Sequence, residues 1–384
     1  GSVTIPLIKR RGFSGAFAGG VEAAASTGGQ IMPPVMGATA FLMTQLAGVT
    51  YQAIVIAAIV PALLFYGSLF VAVGQEAGRR GIEVLPKAKR PGMEPGDALS
   101  SLTFFLPIVA IVATLIVGRS PAMAGFWAVV TAIVAGFVLN PRLRKDPAQI
   151  LVALAKGGVA GAHIMMAVAS IGVMIAVFEL TGIGLKFATQ VALLGEQTLL
   201  LSLVLAALSC LILGMGMPTL PAYLIIVLVL GPAMTKLGVE ALAMHLFVFY
   251  FGVLSAITPP VALAAVAAAP IAGAEPMRTG LEAMRLSLIG FVIPFVFVME
   301  PSLLLGVTEF EPGLFAWQLL CICAAIWLLT SSLSGFDRRR LGWFVRVLRF
   351  AGGAILIVPN TSVQIAGLIL GLGVIMFDYM PMRR

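Results

Sequence analysis

Apolar residues run along this chain in blocks of about twenty, each closed by a short polar or glycine-rich stretch. Leu102 to Val117 and Ala122 to Leu139 are two such blocks, and Phe291 to Leu305 and Ile365 to Phe377 become two more with the residues before them. Each can cross a hydrocarbon core of about 30 Å as a helix. Gly and Pro recur inside the blocks. They would break helices in water, but membrane helices tolerate them where neighbouring protein or a cavity satisfies the freed backbone groups. The pattern predicts an all-α polytopic membrane protein of roughly ten spans.

Lysine and arginine orient the spans. Lys9 to Arg11 form the first basic cluster; the loop with Arg79, Arg80, Lys87, Lys89 and Arg90 forms the second, and Arg142, Arg144 and Lys145 the third. Arg278 and Arg285, then Arg338 to Arg340 with Arg346 and Arg349, then Arg383 and Arg384 follow. An even number of crossings separates each cluster from the next. Of the 24 basic residues all but Arg119, Lys186 and Lys236 therefore fall on one side, which the positive-inside rule makes the cytoplasm. The parity holds only if the stretch from Leu199 to Lys236 enters and leaves on the outer side. Its middle reads Gly214-Met215-Gly216-Met217-Pro218-Thr219, poor for continuous helix, and a re-entrant hairpin fits it.

Two proline pairs stand inside apolar blocks, at Pro33-Pro34 after Ser26-Thr27-Gly28-Gly29-Gln30-Ile31-Met32, and at Pro259-Pro260 after Ser255-Ala256-Ile257-Thr258. Half a span of helix-forming residues lies on either side of each. The parity map sends the first outward and the second inward, so the two discontinuous helices form an inverted repeat. Gly- or Pro-interrupted segments in corresponding positions are the best sequence pointer to a transporter's binding site. The hairpin tip at Gly214 to Thr219 precedes its proline pair by some forty residues, and the same offset before Pro33 falls upstream of Gly1. Gly1 to Lys9 then read as the returning arm of a first hairpin, and an N-terminal truncation is expected.

Composition agrees. Sixty per cent of the 384 residues are hydrophobic and ten per cent charged, against about 25% charged in soluble domains. The net charge of +8 lies in short loops rather than on one face, so nucleic acid is not the expected partner. Cys210, Cys321 and Cys323 all lie in apolar runs and read as buried, inert thiols. No metal cluster, nucleophile–base pair or phosphate loop with a following Lys appears, so ATP-driven transport finds no support.

Where a helix unwinds, carbonyls lose their partners and the half-helix ends carry partial charge. Free carbonyls with Ser or Thr hydroxyls suit Na⁺, and the N-terminal ends of the following half-helices suit a carboxylate. A charge within the membrane costs at least about 2.5 kcal/mol, so each asks for a reason. Glu22, half a helix before the first break, is a candidate for proton coupling or a pairing group within the same domain. His163 and His245 read as substrate ligands or as hydrogen-bonded core histidines; Glu179 and Lys186 read as interfacial, and Glu300 as structural.

The stretches GSVTIPL (Gly1 to Leu7), EAAASTGGQIMPPVMG (Glu22 to Gly37), GMGMPTLPAY (Gly214 to Tyr223) and HLFVFYFGVLSAITPPVALAAVAAAPIAGA (His245 to Ala274) carry a specific likeness. The chain resembles the large membrane subunit of a tripartite ATP-independent periplasmic (TRAP) transporter, and more narrowly the fused permease of the TAXI subgroup, from Gly1 to about Leu305. The resemblance implies an elevator mechanism in the bacterial inner membrane, Na⁺ as coupling ion with H⁺ open in this subgroup, and a periplasmic substrate-binding protein that delivers an organic acid. It also implies a small membrane subunit, or fused N-terminal helices, outside this sequence. Carried over by position, one Na⁺ site would use carbonyls near Gly29, Met32 and Pro33, its other half lying with the first hairpin tip. A second would use Gly214 or Gly216 with Ser255 and Thr258; Ser255 stands where relatives are expected to carry Gly. Substrate would sit between Pro218, Thr219 and the Ser26-Thr27 turn.

The expected organisation is a first-repeat portion over 1–75, a cytoplasmic loop over 76–100 and scaffold helices over 101–190. The second hairpin, broken helix and following span occupy 191–305, and additional helices 306–384. Three competing readings stay open. One is a proton-coupled carboxylate carrier of related fold that needs no binding protein. Another is a channel. The third is a polytopic membrane enzyme, for which the chain offers no polar catalytic cluster in one plane.

Overall fold

The computed structural model describes residues 1–34, 36–82, 97–181, 199–215, 217 and 219–379. Among these the chain is almost wholly helical, with seventeen α-helices and no strand. Five helices are long and apolar enough to cross a membrane, or six if Pro276–Leu286 and Leu288–Met299, bent by 41° at Ser287, count as one span. By contacts the chain divides into two compact units, one of residues 1–39, 53–83 and 181–384, the other of 40–52 and 84–180.

The smaller unit is built on a helical hairpin. Helices α5 (Asp97–Ile116) and α6 (Pro121–Leu139) pack together across a turn in which Gly118 takes φ +77° and Ser120 caps α6 by accepting from the Met123 N–H at 3.3 Å. Gln52 at the start of α4 (Tyr51–Arg79) donates to the Leu115 carbonyl, and Phe41 of α3 (Gly37–Ala47) stacks on Tyr51. Helices α7 (Pro141–Lys145) and α8 (Ala148–Thr181) follow. Phe104, Phe105, Phe126 and Trp127 are exposed, a surface that water would not leave bare and that acyl chains cover.

The larger unit opens with α1 (Thr4–Arg10), which packs on α2 (Gly15–Gly28). The second hairpin region is α9 (Leu199–Gly214) and α10 (Thr219–Lys236), packed on each other and both on α11 (Ala241–Leu254). After the second break come α12 (Leu263–Ala272), α13 (Pro276–Leu286) and α14 (Leu288–Met299). Helix α2 lies against α12 and α13, and small residues allow the approach. A Cβ on Gly19 would stand 2.9 Å from the Thr279 methyl, and one on Gly20 would stand 2.9 Å from the Ala283 backbone nitrogen. Close backbone approach through small residues is how membrane helices associate, because lipid supplies no hydrophobic drive between them.

Three C-terminal helices complete the unit: α15 (Pro312–Ser334), α16 (Trp343–Ile357) and α17 (Thr361–Tyr379), each packed on the next. The expectation for the cysteines is corrected at one position. Cys210 and Cys321 are buried, but Cys323 is exposed on the surface of α15, because a lipid-facing position needs an apolar side chain as much as a core does.

Candidate functional site

The two interrupted helices are built to one pattern. Each first half is fourteen residues long, Gly15–Gly28 and Ala241–Leu254. Each begins at a side-chain cap, Ser14 Oγ accepting from the Phe17 N–H and Glu240 Oε2 accepting from the Ala243 N–H at 2.9 Å. Each cap stands nineteen residues before the first proline, Ser14 before Pro33 and Glu240 before Pro259. Both Pro–Pro bonds are cis, and two residues on, Met36 and Ala262 have φ +38° and +41°. In each, an i to i+4 bond closes the turn, Met36 N–H to Met32 O at 3.2 Å and Ala262 N–H to Thr258 O at 3.1 Å.

The register explains what the prolines do. A proline lacks the N–H that would bond the carbonyl four residues earlier. Pro33 and Pro34 thereby release the carbonyls of Gly29 and Gln30; Pro259 and Pro260 release those of Ser255 and Ala256. Among the described residues, the Gly29, Gln30 and Pro33 carbonyls accept no hydrogen bond, whereas Met32 O takes Met36 and Ser255 O takes the Thr258 N–H at 3.2 Å. Gly29 is exposed while Ser255 and Thr258 are buried.

Of the residues expected at the second break, Ser255 and Gly214 meet, whereas the Thr258 hydroxyl turns back onto its own segment. Ser255 Oγ donates to Gly214 O at 3.1 Å and to Gly252 O at 2.7 Å, and Thr258 Oγ1 donates to Leu254 O at 2.8 Å. A Cβ on Gly214 would stand 2.7 Å from Ser255 Oγ, so the hairpin touches the break through a glycine. The short 3₁₀ turn Ser255–Ile257 also packs on α2, which brings the second break beside the first half-helix.

Among the proposed substrate residues, Thr27 is buried and Ser26 is exposed, its hydroxyl donating to Glu22 Oε1 at 3.2 Å. No hydrogen bond joins Thr219 to Ser26 or Thr27 among the described residues, and Gly216 and Pro218 lie outside them. Glu22 also accepts from Thr4 Oγ1, and the Gly1 nitrogen lies 2.9 Å from Oε1. His245 is buried with Nδ1 2.7 Å from the Tyr223 hydroxyl, the core arrangement open to it in sequence. The His163 and Glu179 side chains and Lys186 lie outside the described residues.

Two residues escaped the sequence reading. Tyr66 donates to Ala25 O at 2.8 Å in the last turn of α2. Phe65 lies between two helices that are glycine where they face it: a Cβ on Gly28 would come within 2.4 Å of its ring and one on Gly290 within 2.6 Å. Tyr66 and Ser68 are hydroxyls inside the apolar run of α4, but nothing in their neighbours names a partner on α2.

A helical membrane protein with two matched, proline-broken helices and backbone oxygen freed at each belongs, by class, with the secondary transporters. Comparison with known families agrees: residues 1–311 match the tripartite ATP-independent periplasmic transporter family, DctM component, and the chain belongs to that family. It is thus a multi-pass component of a transporter and not a member of an enzyme family. No curated protein matches the chain.

Proposed function

We propose that the chain is the membrane permease of a binding-protein-dependent secondary transporter, of the TAXI type, importing an organic acid with co-transported Na⁺ across the inner membrane. The observation that carries this reading is the second break with the hairpin residue it touches. Ser255 Oγ meets the Gly214 carbonyl, and the Thr258 hydroxyl and carbonyl lie in the same interrupted turn, where Pro259 and Pro260 remove two helical N–H donors. Oxygen donors of this kind match a hard monovalent cation. The carbonyls of Gly29 and Pro33, with Met32, would supply half of a first cation site. The organic acid would lie between Thr219 and Pro218 on one side and Ser26 and Thr27 on the other, carried by an elevator movement of the body that holds both breaks. A periplasmic binding protein and a small membrane subunit or its fused equivalent are the partners proposed.

The driving force is adequate, since each net positive charge moved inward through 100 mV contributes about 2.3 kcal/mol. Glu22 favours a second reading with H⁺ in place of Na⁺, because it is a carboxylate on the half-helix that leads into the first break, joined to the hydroxyls of Thr4 and Ser26. Uptake by proteoliposomes holding the complete transporter, with its binding protein added and a Na⁺ or H⁺ gradient imposed, tests both. Uptake that follows the Na⁺ gradient and requires the binding protein supports the first reading. Uptake indifferent to both ion gradients would remove both readings, and uptake without the binding protein would favour a carrier of simpler composition.

A further inference from the structure

At the end of the larger unit where α4 and α15 finish, four arginines face one open cavity of about 510 Å³: Arg79, Arg80, Arg340 and Arg346. No carboxylate lines it among the described residues. Nearby acids are already committed. Glu76 gives one oxygen to Arg79 and Arg80, at 2.6 and 2.7 Å, and its other to Arg285 at 2.9 Å, so one carboxylate serves three guanidiniums. Asp337 and Asp378 are held by Arg349, and Asp378 also by Arg339.

Arg346 bonds the Ser332 carbonyl at 2.8 Å, a neutral partner, and Arg340 has no carboxylate partner among the described residues. The cavity therefore holds an excess of positive charge: Arg79 and Arg80 share the single Glu76 carboxylate with Arg285, and Arg340 and Arg346 meet no carboxylate among the described residues. Its wall is open because Gly335, at φ +66°, carries no Cβ; one there would stand 3.4 Å from the Arg346 guanidinium. Planar guanidinium forks grip phosphate oxygens in pairs, which lysines or a lone cation cannot do.

Position indicates the source of the phosphate. The arginine distribution puts this end of the molecule on the cytoplasmic side. Trp343 and Phe344 stand exposed beside it, at 77% and 71%, the amphipathic and aromatic fringe expected at a headgroup boundary. Arg340, in the connection between α15 and α16, and Arg346 on α16 fall after residue 311, so half of the cationic lining lies beyond the family match.

We propose that this cavity binds a phosphate group, and specifically the headgroup of an anionic phospholipid of the cytoplasmic leaflet. The test is lipid retention by the purified full-length chain, read by native mass spectrometry, with phosphatidylglycerol, phosphatidylcholine or inorganic phosphate added. Arg340→Gln is the main variant, since its exposed side chain supports no described contact; Arg79→Gln with Arg340→Gln is the second, and circular dichroism checks that each folds. Phosphatidylglycerol should bind in preference to phosphatidylcholine and weaken about tenfold for each arginine lost, the size of one charged hydrogen bond. Arginine-dependent binding of inorganic phosphate without a phosphatidylglycerol preference would keep the phosphate site and move its source to a soluble anion. Equal retention of both lipids with no effect of phosphate, or unchanged affinity in the folded variants, would overturn it.

Discussion

The hydroxyls of Ser255 and Thr258 both turn back onto carbonyls of their own segment, yet each keeps lone pairs that a cation can use. Thr258→Val keeps the shape and removes one oxygen. We expect the folded protein to lose about 1 kcal/mol at most. The Na⁺ concentration for half-maximal uptake should rise about tenfold, equivalent to about 1.4 kcal/mol. Unchanged Na⁺ dependence in proteoliposomes would remove Thr258 from the site. Gly214→Ala tests the other wall, because its Cβ would press 2.7 Å from Ser255 Oγ. Moving that hydroxyl should weaken Na⁺ dependence, whereas a Na⁺ dependence identical to that of the unsubstituted protein would mean the hairpin contact is only packing. The Ser255–Gly214 pairing was within reach only through the family resemblance, which set Gly214 or Gly216 beside Ser255 by position. Tyr66 was not, since a single tyrosine in an apolar span carries no partner in its neighbours.

At the scale of elements the repeat was legible through its prolines and illegible through its caps. Pro33-Pro34 and Pro259-Pro260 advertise themselves, while Ser14 and Glu240 do the same work with different chemistry, and glutamate is not a preferred cap. The glycines of α2 hid in a segment where glycine is common. Their roles need coordinates: Gly20 faces the backbone of α13, which cannot yield as a side-chain tip can. Gly20→Ala should therefore lower stability by about 1 to 3 kcal/mol through overpacking. Gly125→Ala on α6, with open space around it, should instead raise stability by up to about 1 kcal/mol through helix propensity. Thermal midpoints in detergent measure the pair. Equal shifts would mean that α2 and α13 do not pack as described.

For the whole molecule, the sequence marked the C-terminal helices only as extra spans, because what ties them together is made by residues far apart. Arg349 is fully buried and bonds Asp337 at 2.9 Å, Asp378 at 3.0 Å and Ser331 Oγ at 3.0 Å, joining α15, the loop after it, α16 and α17. Ser334 Oγ donates to Gln75 Oε1 at 3.2 Å, and Phe336 fills the space left by Gly78, so the same corner is fastened to α4. Removing one member of such a buried network leaves charge without a partner, which costs about 3 to 5 kcal/mol. Arg349→Leu keeps bulk but abandons both aspartates, although Asp378 retains Arg339. Residues 1–311, the part that matches the family, hold both broken helices and α9–α10, whereas Arg349 and its two aspartates fall after them. The expected result is selective: limited trypsin digestion should cut Arg349→Leu early at Arg338 to Arg340 while the fragment before residue 312 resists. If the whole chain instead falls apart at one midpoint, the C-terminal helices fold as one cooperative body with the core, and the corner at Gln75 and Gly78 carries more of the stability than Arg349 alone.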